Sequence, residues 1–274
     1  MGPEQYIVIA IVFGIIIYLT ISYLFYDRIF VNFHNLKKPL VDHESSFYHS
    51  SYEWFQKIPK DDVFIRSYDN LKLHAYYLPS IEKETDNIAI ILHGYQSKAT
   101  DMIIIAKLYS DLGFKVLLID QRAHGISEGK FTTMGYYEKN DLKKWIYHCL
   151  RSYGANSKIL LHGVSMGAAT SVLALDQKLA AHVKFMVLDS GFTVFTKSLN
   201  ASIRPRVLRI FTPGVSLFTK LFLKFFLMNN APIKKMGLLQ TPFLIVQGEK
   251  DRAVPLAMAE KLFHKAPLEA KTFL

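Results

Sequence analysis

Apolar residues along this chain fall into two kinds of run. Between Gln5 and Tyr26 no charged residue interrupts a stretch that is almost wholly aliphatic over 7–19. Farther on, short apolar runs recur at 63–67, 71–78, 88–92, 115–120, 158–162, 184–189 and 242–247. The first two of these, joined by Tyr68-Asp69-Asn70, predict a β-hairpin. The others alternate with helix-like stretches such as 141–151 and 256–265. That alternation predicts an α/β fold, a mostly parallel sheet with helices on both faces.

The first run is long enough for a membrane. A helix over residues 5–26 would reach about 33 Å, which crosses a hydrocarbon core. Tyr6 at one end and Tyr18, Tyr23, Phe25 and Tyr26 at the other put aromatics near the two interfaces. A cleaved signal peptide is disfavoured, because Met1–Gln5 holds no Lys or Arg and no small-residue cleavage site follows. A buried core helix is rarely so uniformly aliphatic. Residues 1–26 therefore read as a transmembrane anchor. Glu4 lies on its N-terminal side, and Arg28, Lys37 and Lys38 on its C-terminal side. The positive-inside rule then puts the following domain in the cytoplasm of a single-pass protein.

Residues 27–60 form a connector rich in aromatics, including Phe30, Phe33, Phe47, Tyr48, Tyr52, Trp54 and Phe55. A short helix is expected over 46–57, ended by Pro59, with its aromatics docked on the domain or the lipid interface. From residue 61 to 274 the chain reads as one domain. Its rhythm breaks at about 192–236, far longer than a simple connection between a strand and the next. Within it, Val215–Met228 is apolar except for Lys220 and Lys224, placed four apart on one narrow helical face. The stretch is too short and too charged for a second membrane span.

Composition adds limits more than direction. The net charge is +10, yet the basic residues are scattered and no nucleic-acid module is recognisable. A basic chain with a membrane segment is better matched to anionic lipid. Cys149 is the single cysteine, so no intrachain disulfide can form; within the expected helix it reads as a buried, inert thiol. No metal-ligand spacing and no phosphate-binding glycine loop is present, so neither metal nor cofactor is expected.

The chemistry is concentrated at strand ends. Gly163-Val164-Ser165-Met166-Gly167 directly follows the run 158–162, and a helix-forming stretch comes after it. This G-x-S-x-G pattern between strand and helix is that of a nucleophile elbow, whose glycines leave room where the turn brings backbones together. The 88–92 run ends in His93-Gly94-Tyr95; the 115–120 run leads into Asp120, Arg122, His124, Gly125, Ser127 and Gly129; the 242–247 run leads to Asp251 and Val254-Pro255. With these four ordered motifs, residues 60–274 resemble the α/β-hydrolase superfamily, most of all its bacterial branch of membrane-anchored esterases and serine-aminopeptidase-like hydrolases.

The resemblance implies a serine hydrolase acting on a small-molecule ester or acyl substrate. Ser165 is the expected nucleophile, the backbone N–H groups of Tyr95 and Met166 the oxyanion donors, and Asp251 the acid that orients the base, with Asp189 as the alternative acid. The D-x-R-x-H-G turn is expected to be structural, as are His93 and His162. The insertion at 192–236 becomes a lid, with a plain helical excursion as the alternative. In the family the catalytic histidine comes after the last strand. Residues 252–274 contain only His264, inside the helix expected over 256–265, while Lys271-Thr272-Phe273-Leu274 reads as the start of that strand. The sequence is therefore read as truncated or as a degenerate relative. An ester hydrolase, a peptidase or amidase of the same mechanism, and an inactive membrane-tethered relative all remain open.

Overall fold

In the computed structural model, which describes residues 2–33, 45–81, 85–267 and 271–273, eight strands form one sheet. They are β1 (Asp61–Arg66), β2 (Lys72–Leu78), β3 (Asn87–Leu92), β4 (Lys115–Asp120), β5 (Lys158–Val164), β6 (Val183–Asp189), β7 (Phe243–Val246) and β8 (Lys271–Phe273). Their order across the sheet is β1-β2-β4-β3-β5-β6-β7-β8. The hairpin β1–β2 and the β2–β4 pair are antiparallel, and every later pair is parallel. The final strand aligns Lys271 with Phe243 and Phe273 with Ile245.

Both faces of the central strands are buried, as the uninterrupted apolar runs require. Ile88, Ile90 and Leu92 of β3 and Leu117 and Ile119 of β4 enter one core, while Ala89, Ile91, Val116 and Leu118 enter the other. Among the described residues, ten α-helices flank or extend the sheet. They are α1 (Pro3–Tyr26), α2 (Ser46–Lys57), α3 (Ile103–Asp111), α4 (Glu138–Ser152), α5 (Met166–Ala174), α6 (Gln177–Ala180), α7 (Phe195–Ser202), α8 (Thr212–Leu223), α9 (Ile233–Met236) and α10 (Leu256–Lys265). Helices α2 and α3 cover one face through Phe55, Ile103 and Ala106; α4, α5 and α10 cover the other through Trp145, Val172 and Leu262. Cys149 of α4 is fully buried, and burial pushes its thiol up to about 12.

Helix α1 is long and apolar enough to cross a membrane. It is exposed from Pro3 through Ile17 and then turns one side to the protein. Tyr18 donates to the carbonyl of Ile210 and accepts from the N–H of Gly214, at the start of α8. Ser22 lies against Gly214 so closely that a Cβ there would fall 2.1 Å from its hydroxyl oxygen. Tyr23 and Tyr26 pack on the rings of Phe218 and Phe222. Small residues and ring stacking thus dock α1 on α8. Lys37 and Lys38, used for the orientation expected above, lie outside the described residues.

The segment between β6 and β7 departs from its expected form in one respect. Helix α8 begins at Thr212 and stops at Leu223, with Lys224 in the left-handed region at φ 63°. Lys224 therefore does not share a helical face with Lys220, and its ammonium caps the carbonyl of Leu221. Packing of the next residues ends the helix. Phe225 stacks on Tyr136 with centroids 4.4 Å apart, and Leu227 is fully buried, so the chain must turn inward there.

Candidate active site

Strand order reverses at β3, so connections leave β3 and β5 in different directions and open a crevice beyond their carboxyl ends. Ligand sites of α/β sheets lie at such switch points. Leu92 and Gly163, the neighbours in register there, lead directly to Tyr95 and Ser165.

Ser165 stands between β5 and α5 with φ 52° and ψ −105°. A positive φ is uncommon for a residue with a side chain and persists only when the surroundings enforce it. Here two glycines do so. A Cβ on Gly163 would lie 2.3 Å from the carbonyl carbon of Gly167, and one on Gly167 would lie 2.3 Å from the carbonyl oxygen of Leu92. The Ser165 N–H donates to the carbonyl of Asp189 at 2.7 Å, and its carbonyl accepts from Ala169 at 3.1 Å. The side chain is thereby held at the apex of a sharp turn. Among the described residues, no protein group accepts from the backbone N–H of Tyr95 or of Met166.

The loop carrying Tyr95 is fixed by two histidines. His93 donates through Nδ1 to the carbonyl of Gly94 and accepts at Nε2 from the N–H of Gln121. His124 donates through Nδ1 to the carbonyl of Arg122, and its Nε2 accepts from the N–H of Gln96, a residue at φ 63°. Each ring has one donor and one acceptor in use, which is the neutral tautomer. Burial lowers the pKa of His93, in keeping with that form. These rings support the loop. His162, bonded to the phenol of Tyr109, is likewise buried, and burial brings it down to about 4.

The remaining motif residues tie elements together. Arg122 makes a two-pronged pair with Asp141 and reaches Asp69 with its other edge. Gly125 lies under the carboxylate of Asp120, where a Cβ would collide. Asp120 accepts from the N–H of Ala99 and of Ile126 and is bonded to His74. Ser127 donates to the carbonyl of Asp120.

Asp251 and Asp189 lie at the ends of neighbouring strands. Asp251 accepts from the N–H groups of Ala253 and Val254 at 2.8 and 2.9 Å. Asp189 accepts from the hydroxyl of Ser190. Burial, joined by the charge of Asp251, outweighs that bond and raises its pKa. His264 is exposed on the outer side of α10 beside Phe263. Among the described residues, no histidine is hydrogen-bonded to Ser165 or Asp251.

Several residues at the site carried no motif. Glu138, buried at the start of α4, accepts from Thr132, Thr133 and Gly135 and so shapes the loop beside Met166. Asn230 donates to the carbonyls of Thr133 and Met134, joining the 192–236 insertion to that loop. Phe30 and Phe33 are fully buried. Their run of aromatics was visible in the sequence, but nothing local told which surface they would cover.

Comparison with known proteins places this geometry. The family model described as serine aminopeptidase, S33, matches residues 83–226. The uncharacterized protein YqkD of Bacillus subtilis is 27% identical over 230 residues, spanning 82% of this chain and 74% of that one. The uncharacterized membrane protein YNL320W of Saccharomyces cerevisiae is 27% identical over 215 residues, or 78% and 70% of the two chains. Among solved structures, an esterase of Pyrococcus furiosus, Pf2001, aligns with a TM-score of 0.65 at 23% identity, covering 81% of this chain and 83% of its own. An α/β hydrolase of Vibrio vulnificus aligns with a TM-score of 0.61 at 19% identity, covering 84% and 78%. At these identities the structural likeness speaks for the fold, whereas the family match takes in more than half of the chain, with Tyr95, Ser165 and Met166 inside it. This chain belongs to the serine aminopeptidase S33 family of α/β hydrolases.

Proposed function

We propose that the protein is a membrane-anchored serine hydrolase that cleaves carboxylic esters through an acyl-Ser165 intermediate. The carrying observation is the backbone of Ser165, held at positive φ between two glycines that cannot accept a Cβ. In this reading the turn is a nucleophile elbow. The Ser165 oxygen attacks the acyl carbonyl and gives its proton to a base. The carbonyl oxygen becomes an oxyanion between the N–H groups of Tyr95 and Met166, donors that are oriented before reaction and gain most as charge develops. Collapse expels the alcohol, which takes the proton back, and water then releases the acid by the same route. Asp251 orients the base. The 192–236 insertion is a lid, tied through Asn230 to the loop beside Met166. Helix α1 holds the protein in the bilayer with the catalytic domain on the cytoplasmic side, and no cofactor takes part.

The test is labelling of the full chain in detergent micelles by a fluorophosphonate probe, with the modified peptide mapped by mass spectrometry. Modification at Ser165 is expected. Its absence overturns the reading.

One observation favours a second reading, a hydrolase-fold protein without turnover. The carboxylate of Asp251 is engaged by Ala253 and Val254, and no histidine among the described residues meets it. That protein would leave the probe unreacted. A peptidase or amidase would label like an esterase, and differs in turning over an aminoacyl p-nitroanilide faster than a p-nitrophenyl ester.

A further inference from the structure

Where α1 ends, the chain does not leave the domain. It continues as five π-helical residues, Asp27–Val31, and the described chain runs on to Phe33. A helix leaves its last carbonyls without partners of its own. Here two of those carbonyls, and that of Phe33 just beyond the helix, accept from the candidate active site. The phenol of Tyr95 donates to Ile29 at 2.8 Å, the N–H of Thr132 to Phe30 at 2.9 Å, and the side-chain amide of Gln96 to Phe33 at 2.9 Å. Thr132 also bonds the sulfur of Met166 at 3.4 Å. The side chain of Tyr95 is thus bonded to the segment that continues the anchor, and the side chain of Met166 meets that segment through Thr132.

Rings reinforce the hydrogen bonds. Phe33 packs on Tyr95 and on His124, with centroids 5.4 and 4.7 Å away. Phe30, fully buried, joins the apolar cluster of Met166 and Phe192 and meets the ring of Phe195 edge-on at 5.9 Å. That cluster includes Met166 and Ala169, which follow Ser165 on α5. Besides Phe30, its buried members are Tyr26 of α1, Met134 before α4, Met166 and Ala169 of α5, Val254 and Met258 at α10, and residues of the 192–236 insertion. Phe30 and Tyr26 are the buried members supplied by the anchor side.

We propose that Ile29–Phe33 is a wall of the active site: Phe30 sets the length of acyl chain the site accepts, and the Ile29 carbonyl is a positioning group that holds Tyr95. The proposal rests on the serine hydrolase reading above. A single aromatic ring against apolar neighbours fills the space of several methylenes, so its removal opens room for a longer chain. Loss of the Tyr95 phenol leaves the backbone N–H in place and frees its loop from the anchor segment.

The experiment uses the full chain in detergent micelles and a series of alkyl fluorophosphonates of increasing alkyl length, with p-nitrophenyl esters of matching acyl length alongside. Phe30→Ala, Phe30→Leu and Tyr95→Phe are compared with the parent. For Phe30→Ala the ratio of long-chain to short-chain labelling rate at Ser165 should rise about tenfold or more, since one methylene in an apolar pocket is worth roughly 10–200-fold in rate. Phe30→Leu should move the ratio the same way by less, and it serves if the alanine variant does not fold. Tyr95→Phe should lower kcat about tenfold with KM and chain-length preference unchanged. A residue of merely structural importance would lower the melting temperature and all rates together. Folded Phe30 variants with the parent's chain-length profile overturn the wall. A Tyr95→Phe protein with the parent's kcat overturns the positioning role. If Ser165 of the parent takes up no probe of any length, the hydrolase reading fails and this proposal falls with it, whereas a labelled parent with unresponsive variants sinks the proposal alone.

Discussion

Gly167 is packed against Leu92 so closely that a Cβ on the glycine would lie 2.3 Å from the leucine carbonyl oxygen and 2.8 Å from its Cβ. Both obstacles belong to the end of β3 or its first side-chain carbon, and neither can swing away. Gly167→Ala must therefore push α5 off the sheet, at a cost at or above the roughly 1–3 kcal/mol typical of overpacking. Gly248→Ala is the control, because nothing lies within 4 Å of a Cβ there. Thermal unfolding in detergent should separate the two by several degrees. Equal melting temperatures would contradict the close approach.

Ser165→Ala tests the nucleophile directly. It removes one oxygen from a half-buried position and leaves both glycine contacts intact. Ester hydrolysis should fall by several orders of magnitude while the melting temperature stays near that of the parent. Comparable turnover of p-nitrophenyl esters by mutant and parent would assign the chemistry elsewhere.

The buried His74 ties stability to pH. Its ring lies between Asp120 at 2.7 Å and Asp62 at 2.8 Å. The edge of Tyr76 and the ring of Phe64 also face it. Burial opposes its charge, but the hydrogen bonds and charges of both carboxylates outweigh burial and raise its pKa above 6.5. Asp120 moves in the other direction. Burial alone would raise it, yet the bonds from His74, Ala99 and Ile126 hold it below 3.8. A raised histidine contributes stability that is complete below its unfolded pKa and is lost as pH climbs through the folded one. A lowered aspartate contributes stability that is complete above its unfolded pKa and is lost as pH falls through the folded one. The cluster is therefore most stabilising between about pH 4 and 6.5. His74→Gln should cost about 3 kcal/mol at pH 6, as expected when one member of a buried pair is removed. It should also flatten the loss of stability on the alkaline side. Melting curves from pH 5 to 9 decide this, and an unchanged alkaline slope in the variant would place the titration elsewhere.

Membrane attachment should have two separable parts. Deleting residues 1–16 removes most of the exposed portion of α1 and leaves Tyr18, Ser22, Tyr23 and Tyr26 docked on α8. The remaining surface joins exposed Val207, Ile210, Leu221 and Phe222 to exposed Arg204, Arg206, Lys220 and Lys224. Each basic residue near anionic headgroups contributes about 1 kcal/mol, screened by salt. The shortened protein should bind phosphatidylserine vesicles weakly, release them at high salt, and ignore neutral vesicles. Salt-insensitive binding, or none, would show that this surface does not face lipid.

The amino-acid pattern by itself determined the elements whose stabilising forces are local. The apolar runs become strands within a residue or two of their expected ends, and in the central strands this is because a strand buried on both faces must be apolar throughout. Helix α2 spans 46–57 as the pattern indicates, and the hydroxyl of Ser45 caps it by accepting from Tyr48. The turn at Ser165 is written in two glycines only four residues apart. The tertiary structure decided what depends on residues distant in sequence. Tyr95 and Ile29 are 66 residues apart, yet their hydrogen bond joins the segment after α1 to the loop after β3. His74 bridges Asp62 and Asp120 across three strands, and Lys224 ends α8 because Phe225 must reach Tyr136. Periodicity records which side of an element is apolar. It does not record which of several apolar surfaces that side will meet, because burial against any of them gains nearly the same free energy, and only the geometry of the assembled sheet selects one.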